Sequence, residues 1–493
     1  LGFAAELLGD ACPVVVDVKA VTALAWSIRS VEGGLAGAAH LPGMTPLVTA
    51  VVDDALADRE PAVLRELHTL LPPGVLALRR VKGLGPKKAQ RVWRELGVES
   101  LGELEYACRE NRLVTLDGFG DKTQASILAQ LQALAAEEGL MRRDQALALA
   151  APVVAALEGA GARVVVCGAL RRGCELVDEV VLVSSTAPAA ALPARVRVVV
   201  ADGARFGVGV LEATGSAEHV ALLRARAEAR GIDFTAIAAD DEDAVYAALG
   251  LLPVAPEQRE AGNVLVEVGK ARPKLVSRKD LRGALHNHTT ASDGADDVVT
   301  MLKAAAAHGL SWLGISDHSV AAAYAHGLDA KRLRAQRDEL HAANGTAGVT
   351  VLAGVESDIL ANGDLDLDDT ALAPLDVVVA SMHQRFGLRG EAMTARLVRA
   401  AMHPLVDVIG HPTGRLLLSR APAEFDVSAL LAACAASGCA VELNANPARL
   451  DLAEVWLREA KERGVLVSIA ADAHAADELN NLEHGVALAR RAG

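Results

Sequence analysis

Apolar and polar positions change rhythm several times along the chain. Up to about residue 140 the sequence is Ala- and Leu-rich with helical spacing, as packed amphipathic helices require. From there to about residue 275 short apolar runs alternate with helical stretches; residues 164–166 and 198–200 are each Val-Val-Val and read as strands. Residues 268–280 (VGKARPKLVSRKD) are polar, basic and interrupted by Pro273, which predicts a linker. Beyond it, apolar runs of strand length alternate with helical stretches to the end of the chain. Helices are expected at 297–307, 331–344, 391–401 and 427–436. Strand, then helix, repeated without a break, predicts a parallel (β/α) barrel whose site lies at the C-terminal ends of its strands.

Composition narrows the classes. The 493 residues are 52% apolar, which excludes disorder throughout, and only 3% aromatic, so the cores are built from Ala, Val and Leu. This length predicts about three domains. The longest apolar run, 146–157, has 12 residues and contains Pro152, too short for a membrane span. Six cysteines without a Cys-x-x-Cys pair argue against a thiolate zinc site or a disulfide framework. The chain begins at Leu1, so a preceding targeting segment cannot be judged. A net charge of −14 (49 Lys+Arg, 63 Asp+Glu) argues on average against nucleic acid as a partner.

Local charge reverses that expectation. Residues 79–94 (RRVKGLGPKKAQRVWR) carry seven Lys/Arg and no acid. Within them Gly83-Leu84-Gly85 is followed by Lys87 and Lys88 and a helical segment. The pattern returns at Gly118-Phe119-Gly120 with Lys122. Two glycines permit a tight turn that exposes amides at a helix N-terminus, where they and the Lys hold a phosphate without reading bases. These copies resemble tandem helix-hairpin-helix elements, which grip DNA backbones. A third candidate, Leu41-Pro42-Gly43-Met44-Thr45-Pro46, lacks the second glycine and the Lys, as a degraded copy would.

Cys167-Gly168-Ala169-Leu170-Arg171-Arg172-Gly173 follows the run at 164–166: a strand, a Gly turn, then two arginines able to meet phosphates. Glu179 lies just downstream, within the segment 177–183. Two-metal nucleotidyl transfer needs two or three converging carboxylates, commonly Asp-x-Asp on one strand face. Glu179-Val180-Val181 offers one acid, because Val181 cannot ligate a metal. Here the chain resembles bacterial family X DNA polymerases of the PolX type, over nearly its whole length. That family carries Gly-Ser-Leu-Arg-Arg-Gly where Ala169 replaces the serine here. Its third Asp falls on Arg197, and its Tyr-Phe-Thr-Gly element reads Glu212-Ala213-Thr214-Gly215. The resemblance implies polymerase ancestry; the residues predict a retired palm in which Gly168, Arg171 and Arg172 are vestigial phosphate or nucleotide contacts.

Histidine is distributed unevenly: 11 of 14 lie in the last 211 residues. His286, His288, Asp293, His318, Glu356, His383, His411, Asp472 and His474 sit at or just past the ends of apolar runs. His286 and His288, two apart on a strand, point to one side. Packing does not explain so many titratable groups at strand ends, because burying them without a metal is costly. His308, His326, His341, His403 and His484 read instead as core or surface residues. The set resembles the polymerase-and-histidinol-phosphatase (PHP) domain of PolX enzymes, with all nine metal-ligand positions filled. That resemblance implies a three-ion cluster. His286, His288, Glu356 and Asp472 hold one ion; Glu356 bridges to a second, held with His383 and His411; Asp293, His318 and His474 hold a third. Imidazole and carboxylate donors suit Mn²⁺, the leading expectation, with Zn²⁺ or Fe as alternatives. Arg415 is expected as a phosphate clamp, with Asn444 and Asn446 at the same mouth.

The expected organisation is an N-terminal helical domain (1–75), a helix-hairpin-helix region (76–140), a nucleotidyltransferase-like palm and thumb (141–267), a linker (268–282) and a distorted (β/α)7 PHP barrel (283–493). The resemblance implies a bacterial, cytoplasmic, nucleoid-associated DNA-repair enzyme that binds DNA without sequence preference and acts as a Mn²⁺-dependent 3′→5′ exonuclease, also at abasic sites or blocked 3′ ends. His286, His288, Glu356, His383, Asp472 and Arg415 are its expected catalytic residues. A gap-filling polymerase, a histidinol-phosphatase-like enzyme and a non-enzymatic DNA scaffold are the competing readings. The oligomeric state is not legible.

Overall fold

In the computed structural model, the described residues are 7–8, 45–57, 59, 61, 65, 70–72, 74–135, 139–260, 265–271, 274–383 and 388–493. Most of the expected N-terminal domain, with His40, His68 and Leu41-Pro42-Gly43-Met44, lies outside them. The chain divides into two compact units, Leu1–Ala135 and Ala136–Gly493. The palm and barrel segments, expected as separate domains, thus share one unit.

In the first unit, α1 (Pro46–Leu56) precedes the two Gly-x-Gly turns. The helix α2 (Pro86–Leu96) starts where Gly85 ends the first turn, with Pro86 in its first turn, and stops at Gly97 in the left-handed region. Ser100 caps α3 (Leu101–Arg109) by accepting from the amide of Glu103 at 3.1 Å, while Glu103 accepts from the amide of Glu99 at 2.7 Å. The second turn leads into α4 (Asp121–Ala135). Buried Leu84, Ala89, Val92, Leu104, Leu113, Phe119 and Ile127 join these short helices into one core.

The second unit opens with β1 (Met141–Arg142), α5 (Arg143–Gly159), β2 (Val164–Cys167), α6 (Gly168–Arg171), β3 (Leu176–Val177), β4 (Val180–Ser184) and β5 (Val196–Val200). β2 runs antiparallel to β4, and β5 parallel to it. Residues 177–183 span two strands with different partners, β3 beside β1 and β4 between β2 and β5; between them Asp178 accepts from the amide of Glu179 at 2.9 Å. The helices α7 (Phe206–Thr214), α8 (Ala217–Ala229) and α9 (Glu242–Ala248) complete this palm and thumb. The linker is docked: Ser277 and Asp280 cap one turn, and Arg278 donates to the carbonyl of His308 at 3.0 Å.

The barrel strands are β6 (Gly283–Ala284), β7 (Trp312–Ile315), β8 (Thr350–Asp358), β9 (Val377–Ser381), β10 (Val408–Ile409), β11 (Ala440–Asn444) and β12 (Val467–Ala470). They pair in sequence order, all parallel. The ring closes just beyond the strand ends, where Asn287 pairs with Ala473 and the amide of Asp472 donates to the carbonyl of His286 at 3.1 Å. The helices α10 (Val298–Ala307), α11 (Ala330–Ala343), α12 (Asp369–Leu372), α13 (Gly390–Ala401), α14 (Val427–Ser437), α15 (Glu454–Glu462) and α16 (Leu482–Ala492) line its outside. The four helices expected from patterning are α10, α11, α13 and α14, displaced by at most one residue at either end. Asp297, Asp329 and Asp426 cap three of them. This is the expected distorted (β/α)7 barrel.

Candidate metal centre

All nine expected ligand residues converge at the C-terminal mouth of the barrel. Ligand atoms of His288, Asp293, His318 and His474 lie within 4.8 Å of one another, as do those of His286, Glu356 and His411, of His286, His288 and Asp472, and of His318, Glu356 and His383. Glu356, at the end of β8, is the hub. Its Oε1 lies 3.0 Å from His411 Nε2, 3.2 Å from His286 Nε2 and 3.3 Å from His383 Nε2; its Oε2 lies 2.8 Å from His318 Nδ1. Asp472 Oδ1 is 3.2 Å from His288 Nε2, and Asp293 stands 3.5 Å from both His318 and His474. Asp472 holds a φ of +51°, an uncommon backbone state for a residue with a side chain, set where the barrel closes.

Packing alone leaves several of these donor atoms unsatisfied. His286 Nε2, both ring nitrogens of His288 and Asp293 Oδ2 are buried without a hydrogen-bond partner. Orphaned nitrogens and a carboxylate oxygen, turned on one another in a buried pocket, fit divalent cations that take imidazole and carboxylate ligands. Charge agrees. Burial opposes the charge of Glu356, yet His383, His286 and His318 hold its carboxyl well below the usual range. Burial likewise disfavours a charged His383, but Glu356 and Asp358 lift it to about 10. His286 and His318 also rise against burial, drawn up by Glu356 with Glu442 in one case and with Asp293 in the other. Burial and neighbouring cationic groups push His288 and His411 down. Protons thus occupy part of a place that cations suit better.

Three supporting residues escaped the sequence reading. Glu442, inside the apolar run of β11, accepts from His286 Nδ1 at 2.7 Å and from the amide of His411 at 3.1 Å. Asp358 meets His383 Nδ1 at 3.3 Å. Arg449 Nε lies 3.6 Å from Asp472 Oδ2. A lone acid in an otherwise apolar strand was the available signal for Glu442; the other two offered none. Asn444 does reach the centre, donating to Asp472 at 2.8 Å and Glu442 at 2.9 Å, whereas Asn446 shapes its own turn by accepting from Ala448. His308, His326, His341, His403 and His484 stay outside the ligand groups.

Arg415, expected as a phosphate clamp, is engaged within the protein. Its guanidinium donates to the carbonyls of Arg449 (3.0 Å) and Leu450 and pairs with Glu175 at 2.6 Å. Those contacts engage Nε and Nη2, and none of them uses Nη1.

In the palm, Arg171 pairs with Glu242 at 2.6 Å and donates to Thr214 at 2.8 Å, while Arg172 pairs with Glu260. Gly168 takes a φ of +65° against Val181, where a Cβ would sit 3.2 Å from a Val181 methyl. Arg197 Nη2 lies 3.0 Å from Glu179. Glu179 and Arg197 thus form an ion pair, and Val181 is packed in the core.

In the first unit, Gly83 and Gly118 take φ of +86° and +84°. The turns match bond for bond: Leu84 donates to Val81, and Phe119 to Leu116. Lys87 and Lys122 are exposed beside them, and Lys88 stands 5.0 Å from the Phe119 ring centre.

Residues 284–446 match the model of the PHP domain, and residues 75–133 that of the SAM-like helix-hairpin-helix tandem. The DNA polymerase/3′-5′ exonuclease PolX of Bacillus subtilis (strain 168) is 32% identical over 99% of this chain and 93% of its own length. A probable phosphatase of Thermoanaerobacter sp. (strain X514) is 30% identical over 30% of this chain and 61% of its own. The solved structure of a Lactococcus lactis histidinol phosphate phosphatase complexed with zinc, L-histidinol and phosphate covers 43% of this chain and 94% of its own, at 15% identity and a TM-score of 0.33. With a relative of that identity matched from end to end, and both domain models in their expected places, the chain belongs to the bacterial PolX family of DNA polymerase/3′-5′ exonucleases.

Proposed function

We propose that this chain is a DNA-repair nuclease whose barrel hydrolyses phosphodiesters at DNA 3′ ends, as a Mn²⁺-dependent 3′→5′ exonuclease that also accepts abasic or blocked ends. The convergence of nine donors, eight of them buried, on one barrel mouth carries the reading. His286, His288, Glu356 and Asp472 would hold one cation, Glu356 with His383 and His411 a second, and Asp293, His318 and His474 a third. Bound there, divalent cations supply Lewis acidity toward a phosphate oxygen and make a water acidic near neutral pH. The chain supplies the rest. Glu442 and Asp358 fix the rings of His286 and His383, and the two Gly-x-Gly turns hold the backbone through amides and Lys87, Lys88 and Lys122.

The palm contributes no nucleotidyl transfer in this reading. Glu179 faces Arg197, and Arg171 and Arg172 are already paired with carboxylates.

The test is release of nucleotides from a 3′-recessed duplex with Mn²⁺. His383→Ala and Asp472→Ala are each expected to lower the rate by 10²-fold or more, on the order of 3 kcal/mol. Unchanged rates would refute the assignment. The likeness to probable phosphatases supports a second reading, phosphomonoester hydrolysis. Turnover of a phosphomonoester against that of a DNA end separates the two. Primer extension by the Asp472→Ala protein would restore the polymerase reading.

A further inference from the structure

Arg415 and Glu175 lie 240 residues apart in sequence, one at the barrel rim and one in the palm, and meet in an ion pair of 2.6 Å. The pair is largely shielded, with side chains 12% and 24% exposed. Apolar packing does not hold Glu175 there. Beside it the seam keeps a cavity of about 320 Å³, lined by Cys174, Glu175 and Leu176 on one side and Glu454 and Arg491 on the other. The charge-assisted contact ties the two parts here, beside Arg491, which donates to the carbonyl of Arg172 at 2.9 Å.

From Arg415 the tie continues to the metal centre. Its guanidinium grips the carbonyls of Arg449 and Leu450, and Leu450 is held at a φ of +44° that a leucine seldom adopts. Arg449 then places its Nε 3.6 Å from Oδ2 of Asp472. The next residue, Asp451, exchanges backbone hydrogen bonds with Asn444, whose amide nitrogen donates to the same Oδ2 at 2.8 Å. Asp451 also accepts from the amide of Thr413 at 3.0 Å and its hydroxyl at 2.9 Å, which joins the loop to the His411 segment. Every group in this relay except Arg415 and Glu175 is fully or almost fully buried.

We infer that Glu175 is a positioning residue for the metal centre: through Arg415 and the loop at 449–451 it fixes the carboxylate of Asp472. A palm without a carboxylate triad is thereby a working part of the barrel's site. The inference rests on the metal-centre reading above. It assigns Arg415 to holding the loop rather than the substrate.

The experiment is calorimetric titration of the full-length, metal-free protein with Mn²⁺. The native chain is compared with Glu175→Gln, Glu175→Asp, Arg415→Lys and the Glu175→Gln/Arg415→Lys double variant. Loss of an outer partner of a ligand typically weakens metal binding by about 10- to 100-fold. Glu175→Gln is therefore expected to bind at least one Mn²⁺ on the order of tenfold more weakly, with the metal-free melting temperature unchanged. Glu175→Asp keeps the charge and should recover most of the loss; the double variant should lose no more than the worse single one. Native affinity in Glu175→Gln would overturn the inference and leave the metal centre standing. No Mn²⁺ binding by the native chain would overturn both. If Glu175→Gln does not fold, Arg415→Lys decides from the barrel side: weakened binding supports the relay, and native affinity overturns it.

Discussion

Single residues set how this centre can be disturbed. Glu442 touches no expected ligand atom of a cation, yet it is the partner of His286 Nδ1 and of the His411 amide. Glu442→Gln should weaken Mn²⁺ binding by about 10- to 100-fold with little change in fold, measured by titration with the metal. His219 marks a different sensitivity. It is buried against the hydroxyl of Tyr246 at 2.7 Å, and burial pushes its pKa down to about 4. The unfolded chain takes up that proton near pH 6.5, the folded one only near 4, so between those values the unfolded state binds more protons. The neutral ring's contribution is therefore complete above pH 6.5 and is lost as pH falls toward 4. Urea unfolding of native and His219→Gln protein should diverge across that window, the native chain showing the steeper loss on acidification.

At the scale of elements, the two hairpins work through backbone shape and the barrel through strand ends. Gly118 has nothing within 4 Å of where a Cβ would stand, so Gly118→Ala meets no clash. Its φ of +84° still costs an alanine roughly 1–2 kcal/mol. A lowered melting temperature of the first unit and weaker DNA binding are expected, read by calorimetry and fluorescence anisotropy. Lys87→Ala and Lys122→Ala should each weaken binding to all sequences alike and reduce the salt slope by about 1. The barrel elements were legible because the strands are short apolar runs and three of the four expected helices begin at an Asp that caps them, as at Asp297 and Asp329. In the palm, β3 and β4 lie almost end to end yet take different partner strands, which apolar patterning alone does not distinguish.

For the whole molecule, two compact units imply two unfolding transitions that metal affects unequally. The centre gathers carboxylates and imidazoles that cations would bind only in the folded barrel. Mn²⁺ at about 100 times its dissociation constant should stabilise the second unit by about 2.7 kcal/mol per site and leave the first unchanged. Scanning calorimetry with and without the metal checks this; equal shifts in both transitions would count against a centre confined to the barrel. The net charge of −14 is an average that hides both the basic hairpins and an acidic share turned inward at the mouth.

By itself the sequence determined the order of elements, the two glycine turns and the nine donors at strand ends. Each is written in a few consecutive residues, where periodicity, turn chemistry and residue type act locally. Only the tertiary structure decided what those residues face. Glu442 comes to His286 across 156 positions, and Arg415 to Glu175 across 240. A charged side chain reads alike whether it meets phosphate, metal ligand or carbonyl, because its partner is chosen by chain closure and not by its neighbours in sequence. Barrel closure turned scattered histidines into one centre, and docking of the palm turned an expected phosphate clamp into a tie between two parts of one unit.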